Sequence, residues 1–303
     1  MRRSIVLVAA AALAVALALP TAAGAATVPA PVACNPAQGA CWHPVVGSRW
    51  QYQLQGVAAY PSTGGINVNI SAVPVAGGAA VRPQVFDIDV YVDQAISGTN
   101  NTLNTAAVNA IHANGAKAIC YLSAGTWENW RPDAASFPTS VQGAKNGWPG
   151  EKWLDIRQTG ILLPIMQARV QKCRQAGFDG VEFDNVDGYA NRSGFPLTAN
   201  DQLVYNASLA NLAHQYGLTV ALKNDMGQVG DLKPYFDYAI NEQCFQYREC
   251  DYPPPGLPDW VSSGKAVFNV EYKKLNCPQA NTWNFGSILK SLDLFDTPWT
   301  PCR

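Results

Sequence analysis

Histidine is scarce, with three in 303 residues, and they stand apart as His43, His112 and His214. No two cysteines have CxxC spacing, so the ligand pattern of a structural zinc site is missing. The GxSxG elbow is absent and no histidine lies beside a strand-like run, which argues against a serine nucleophile. No strand-like run is followed by the Gly-rich loop that cradles a dinucleotide phosphate. Charged residues make up 14%, 21 basic against 22 acidic, without a basic run, so a nucleic acid partner is not expected. Beyond residue 19 no stretch is apolar enough to cross a bilayer, and no membrane association is expected.

What the chain does contain starts with a basic "MRRS", an apolar run over 5–19 and a small-residue Ala23-Gly24-Ala25. That pattern predicts a secretion signal over 1–25 and an extracellular protein. Eight cysteines in an exported chain suit disulfides. Cys34/Cys41 and Cys244/Cys250 would close short loops and Cys277/Cys302 would tie down the C-terminus, while Cys120 and Cys173 either pair or stay as buried thiols. Residues 26–45 form a Pro/Ala-rich linker segment, and 46–303 are enough for one barrel-sized domain. Nine Trp and twelve Tyr suit a sugar-handling surface as well as an aromatic core.

A punctuation recurs after that. In "HANGAKAICYLSAG", "RQAGFDGVEFDNV", "HQYGLTVALKND" and "SSGKAVFNVEY" a glycine ends a helical or turn stretch and a strand-like run follows. Strands are predicted near 50–55, 85–90, 117–123, 179–184, 219–224, 238–243, 266–271 and 287–293. "LTANDQLVYNASLANLAHQYG" reads as a helix opened by a Thr198/Asp201 capping box, with Leu203, Ala207, Ala210 and Ala213 on one face. Alternating strands and helices predict an α/β fold, a single-domain (β/α)8 TIM barrel. The long stretch 57–83, with alternating Val and Ile, is expected as a hairpin over one end.

Strand side chains alternate between barrel interior and helix layer, and barrel sites form at the strands' C-terminal ends. By that period Asp87 and Asp89 share the interior side of one strand, and Tyr121 and Ser123 that of the next. Glu182 and Asp184, Lys223 and Asp225, then Glu242, then Asn269 and Glu271 follow. Carboxylates crowded together out of water are costly to keep charged, so their recurrence on several strands points to use. A calcium loop at "DNVDG" fails in register, since Phe183 and Gly194 would fall at its first and last positions. Glycoside hydrolysis by two carboxylates fits directly, one attacking or activating water and one donating a proton. A non-catalytic glycan-binding barrel and a metal-dependent polysaccharide deacetylase or esterase are the alternatives. Trp127, Trp130, Tyr189 and Tyr247 follow strands and suit stacking on sugar rings.

The motifs "RWQYQLQG", "FDIDVY", "ICYLSAGTWENWRPD", "GWPGEKWLDIR", "GFDGVEFDNVDGYANRSGFPLT", "LKND", "NEQCFQYREC" and "GKAVFNVEY" run in order over 47–272. Together they resemble glycoside hydrolase family 114, the endo-α-1,4-polygalactosaminidases. The resemblance implies a secreted retaining endo-glycosidase acting on α-1,4-linked galactosamine-containing polysaccharide. Asp184 takes the nucleophile's place and Glu242 the acid/base's. Asp87, Asp89, Tyr121, Glu182, Asp187, Lys223, Asp225 and Glu271 are expected around the substrate. No cofactor or metal is required, and the working unit is expected to be a monomer.

Overall fold

The computed structural model describes residues 26–303, and the expected secretion signal, 1–25, lies outside them. All eight expected strands form. They are β1 (Trp50–Gln53), β2 (Val85–Asp89), β3 (Lys117–Ser123), β4 (Gly180–Asp184), β5 (Thr219–Lys223), β6 (Tyr238–Glu242), β7 (Val267–Glu271) and β8 (Gly286–Leu289). Each lies parallel to its sequence neighbour in one curled sheet. The molecule has the TIM-barrel fold. The parallel strands are buried on both faces, as helix crossovers require, with Phe86, Ile88, Val181, Phe183, Val220 and Leu222 in the core.

Helices α1 (Thr105–Ala113), α2 (Thr159–Ala176), α3 (Ala199–Gln215), α4 (Leu257–Ser262) and α5 (Cys277–Thr282) fill crossovers on the outside. α3 begins with the expected capping box, in which the Thr198 hydroxyl accepts from Asp201 N–H and the Asp201 carboxylate accepts from Thr198 N–H. Its Ala207, Ala210 and Ala213 are buried against the sheet. α2 ends at Gly177, whose φ of 92° supplies the left-handed cap.

The first crossover departs from the pattern. Only a single turn of 3-10 helix, Pro61–Thr63, interrupts the chain between β1 and β2. Ile66, Val68 and Ile70 are buried there instead, and one antiparallel bridge, Ala72–Val81, stands where a hairpin was expected. The alternation marked a buried face, but without a facing run of similar length no ladder forms. A second insertion lies between β3 and α2. Thr126–Glu128, Gln142–Lys145 and Glu151–Leu154 make a small antiparallel sheet that rises beside the barrel mouth.

No strand ladder joins β1 to β8 among the described residues. β8 pairs instead with the antiparallel Thr300–Pro301. The gap is bridged by Trp50 Nε1 donating to the Gly286 carbonyl at 2.7 Å and Trp299 Nε1 donating to the Trp50 carbonyl at 2.8 Å. Lys290 Nζ also donates to Gln51 Oε1 at 3.0 Å.

Residues 26–45, expected as a linker, lie along α3. Val32 N–H donates to Asn211, Asn35 N–H to the His214 carbonyl, and the Tyr235 hydroxyl to the Pro29 carbonyl. Four disulfides form, Cys34–Cys41, Cys120–Cys173, Cys244–Cys250 and Cys277–Cys302, and no described cysteine is free. Such density suits an oxidising compartment.

Candidate active site

β4, β5 and β6 end on Asp184, Lys223 and Glu242, and the middle residue binds the other two together. Lys223 Nζ stands 2.9 Å from Asp184 Oδ1, 3.2 Å from Glu242 Oε2 and 3.2 Å from Glu182 Oε1. Burial lowers the pKa of this ammonium, but the three carboxylates outweigh it and push the pKa well above the ordinary value.

Asp184 is gripped from all sides. Its Oδ1 also accepts from Asn185 N–H at 2.8 Å, and its Oδ2 accepts from the Tyr121 hydroxyl at 2.8 Å. Burial raises its pKa, yet the Lys223 charge and these hydrogen bonds prevail and hold it below the usual carboxylate value. The backbone helps, since Asn185 takes φ 61° and packs its carbonyl onto Gly125. A Cβ at Gly125 would meet that oxygen at 1.6 Å, so only glycine permits the approach. Glu242 Oε1 accepts from the Tyr272 hydroxyl and its Oε2 from Asn224 Nδ2 at 3.3 Å.

Asp184 and Glu242 open into a cleft of about 890 Å³ that the small sheet overhangs. Tyr121, Lys223, Asp89 and Asp187, expected around the substrate, also line it. Asp89 is already engaged, its two oxygens held by Arg131 at 2.7 and 2.8 Å.

Asp87, Glu182 and Glu271, expected around the substrate too, are placed below the cleft, each 0% exposed. Period two points all three inward, but each sits two residues short of its strand's inward rim position or behind a neighbouring turn. Burial, then the charge of Glu182, pushes the Asp87 pKa well above the ordinary value. Glu271 Oε1 accepts from Phe245 N–H at 3.0 Å and so supports the turn after β6.

Asp225 leaves the strand's period altogether. Asn224 and Asp225 have φ of 50° and 48°, which turns Asn224 to the main cleft and Asp225 into a side pocket.

Several lining residues escaped sequence reasoning. Tyr272 follows Glu271 just past the strand, where alternation no longer applies. Glu151, in "GWPGEKWLDIR", lines the cleft beside Glu128 and accepts from Asn146 and Thr126. Burial, then the charge of Glu128, pushes it up to about 7. Among the expected aromatics Trp130 lines the cleft and Tyr247 the side pocket, whereas Trp127 donates to the Ala134 carbonyl. Trp148 and Trp153 add to the cleft wall.

Eight carboxyl groups and two cationic side chains line this cleft, against 22 and 21 in the whole chain. The acidity is therefore concentrated at the mouth, a field that draws cations.

Comparison with known proteins bears on this site. The model of Glycoside-hydrolase family GH114 matches residues 32–303. Ega3 from Aspergillus fumigatus, solved in complex with galactosamine, is 31% identical over 84% of this chain and 95% of its own, with a TM-score of 0.66. The glycoside hydrolase domain of PelA from Pseudomonas aeruginosa shares the fold at 12% identity, covering 83% of this chain and 96% of that domain, with a TM-score of 0.55. The α-galactosidase TtGalA from Thermus thermophilus does so at 13% identity over 81% of this chain and 58% of its own, with a TM-score of 0.51. A search of curated proteins finds no match.

Proposed function

Because the chain belongs to glycoside-hydrolase family GH114 and is a glycoside hydrolase, we propose that it cleaves α-1,4-linked galactosamine-containing polysaccharide within the chain, with retention of configuration. Asp184 is the nucleophile and Glu242 the acid/base. The observation that carries this reading is the shared ammonium. Asp184 Oδ1 and Glu242 Oε2 both touch Lys223 Nζ, at 2.9 and 3.2 Å, so these oxygens are at most about 6 Å apart. Retaining enzymes hold their carboxyl groups roughly 5–5.5 Å apart, and inverting ones roughly 6.5–9.5 Å.

The roles follow from the electrostatics. Asp184 is held charged, which suits attack on the anomeric carbon and rules it out as proton donor. Donation to the leaving oxygen then falls to Glu242. In the second step Glu242 takes a proton from water as that water displaces the sugar from Asp184. An acidic cleft walled by Trp130, Trp148 and Trp153 supports a cationic polymer running through it. The galactosamine bound to Ega3 supports the choice of sugar. Four disulfides support an extracellular working place, and we read the working unit as a monomer.

The test is reducing-end release from α-1,4-galactosamine polymer. Asp184→Asn and Glu242→Gln should each lower it at least about a thousandfold with the fold intact. NMR of the first products should show the α anomer. Full activity in either variant, or a β product, would overturn the reading.

A further inference from the structure

Two acids lie beneath the cleft, out of a substrate's reach. Asp87 on β2 and Glu182 on β4 are fully buried. Alternate strands of a barrel fill the same interior layer, and the two carboxyl groups come within hydrogen-bonding reach of each other. Both Asp87 oxygens and Glu182 Oε2 lack a donor from any other group among the described residues. Two charged carboxylates face to face out of water would repel strongly, whereas one proton held between them satisfies both.

The other oxygen of Glu182 faces the catalytic floor. Its Oε1 accepts from the Tyr52 hydroxyl at 3.1 Å and lies 3.2 Å from Lys223 Nζ, and Lys223 also donates to the Tyr52 oxygen at 3.4 Å. The titratable groups acting on the pair are Tyr52 on β1, Asp184 on β4, Lys223 on β5, and Tyr238 and Glu242 on β6. Lys223 is the single cation among them. Burial raises the Glu182 pKa, and the ammonium opposes that rise.

Resting on the roles given to Asp184 and Glu242 above, we propose that Asp87 and Glu182 hold one proton between them, and that Glu182, acting through Lys223, is a positioning residue for both catalytic carboxyls. Asp184 loses its charge on becoming the glycosyl ester, and Glu242 changes charge as it gives and regains a proton. Of the three carboxylates at Lys223, Glu182 alone keeps its charge through the cycle. It keeps the ammonium seated in both steps, and it limits how strongly that ammonium acidifies the other two. Asp87 supplies the proton that ties down the second Glu182 oxygen.

Infrared spectroscopy tests the shared proton. The difference spectrum of the parent against Asp87→Asn at neutral pH should show the carbonyl band of a buried protonated carboxyl, present in the parent and lost in the variant. No such loss overturns the proposal. The amide keeps a donor for Glu182, so Asp87→Asn should also fold and retain the parent's pH–rate profile. An unfolded chain or a shifted profile would contradict the proposal.

Glu182→Gln removes the charge. Both limbs of its pH–rate profile should move to lower pH by about half a unit or more, as expected when an ammonium acts on two carboxylates instead of three. Asp87→Val leaves Glu182 Oε2 without a donor, so Glu182 takes the proton itself and the same shift should appear. A lower kcat with unmoved limbs would mean that the pair only fills space. If either variant does not fold, the other and the infrared difference still decide.

Carboxyl NMR separates this proposal from the reading it rests on. In the resting protein without substrate, the Asp184 titration should fall to lower pH in Glu182→Gln. An unmoved titration overturns the coupling. A titration that falls, in a protein whose Asp184→Asn variant keeps full activity, leaves the coupling standing and removes the catalytic roles.

Discussion

Lys223 is the counter-charge that holds Asp184 ionised. Three carboxylates share its ammonium, so its removal leaves buried acids without a counter-charge, a loss of about 3–5 kcal/mol in comparable cases. Lys223→Met should therefore destabilise the enzyme, and it should also let the Asp184 pKa climb. Any activity that survives should show its acidic limb at higher pH than the parent's. An unmoved limb in the pH–rate profile would mean that Lys223 does not hold Asp184 charged. Asp225 predicts an opposite behaviour. Its folded pKa of about 8 exceeds the ordinary aspartate value, so between the two the folded chain keeps a proton that the unfolded chain has lost. Its contribution to stability is then full at low pH and is lost as pH rises through about 8. Asn carries no proton to lose. Asp225→Asn should gain on the parent by about 3 °C or more in Tm between pH 5 and pH 9, whatever its offset at pH 5. Parallel curves would contradict the assignment.

Elements were legible wherever a period ran long enough to read. Most of the barrel strands carry β-branched or aromatic residues after a glycine or turn, β8 with only Ile288 giving the weakest signal, and each was found within a few residues. The small sheet at the mouth was not found. "TWE", "QGAK" and "EKWL" are too short and too polar to show alternation, and contacts with the barrel, not propensity, hold them. The same limit explains Asp225, because alternation stops at the left-handed residues Asn224 and Asp225. Nor does sequence spacing show that Arg131 would neutralise Asp89 across 42 positions. The loop Cys244–Cys250 is an element whose closure has a measurable job. Replacing both cysteines by serine should cost about 2 kcal/mol from loop entropy alone. It should also raise KM for the polymer several-fold with less effect on kcat, since Tyr247 and Glu249, which line the side pocket beside Glu242, lose their fixed positions. Unchanged KM would place that loop outside the binding surface.

At the scale of the whole molecule, the C-terminal residues close the barrel's joint between β1 and β8. Trp299 donates to the Trp50 carbonyl, Cys302 N–H to the Ser287 carbonyl, and Cys302 is bonded to Cys277. Deleting 298–303 should lower Tm by about 10 °C or more, as a buried Trp and a disulfide leave together. A loss of less than a few degrees would show that the joint holds by other means. Between β1 and β8 the sheet relies on a few side-chain donors where every other neighbouring pair has a ladder. Transient opening of the ring is then cheapest there. Deuterium should reach the amides of 286–289 and 50–53 well before those of β3 and β4, which makes the barrel a strip with two ends in its slow motions.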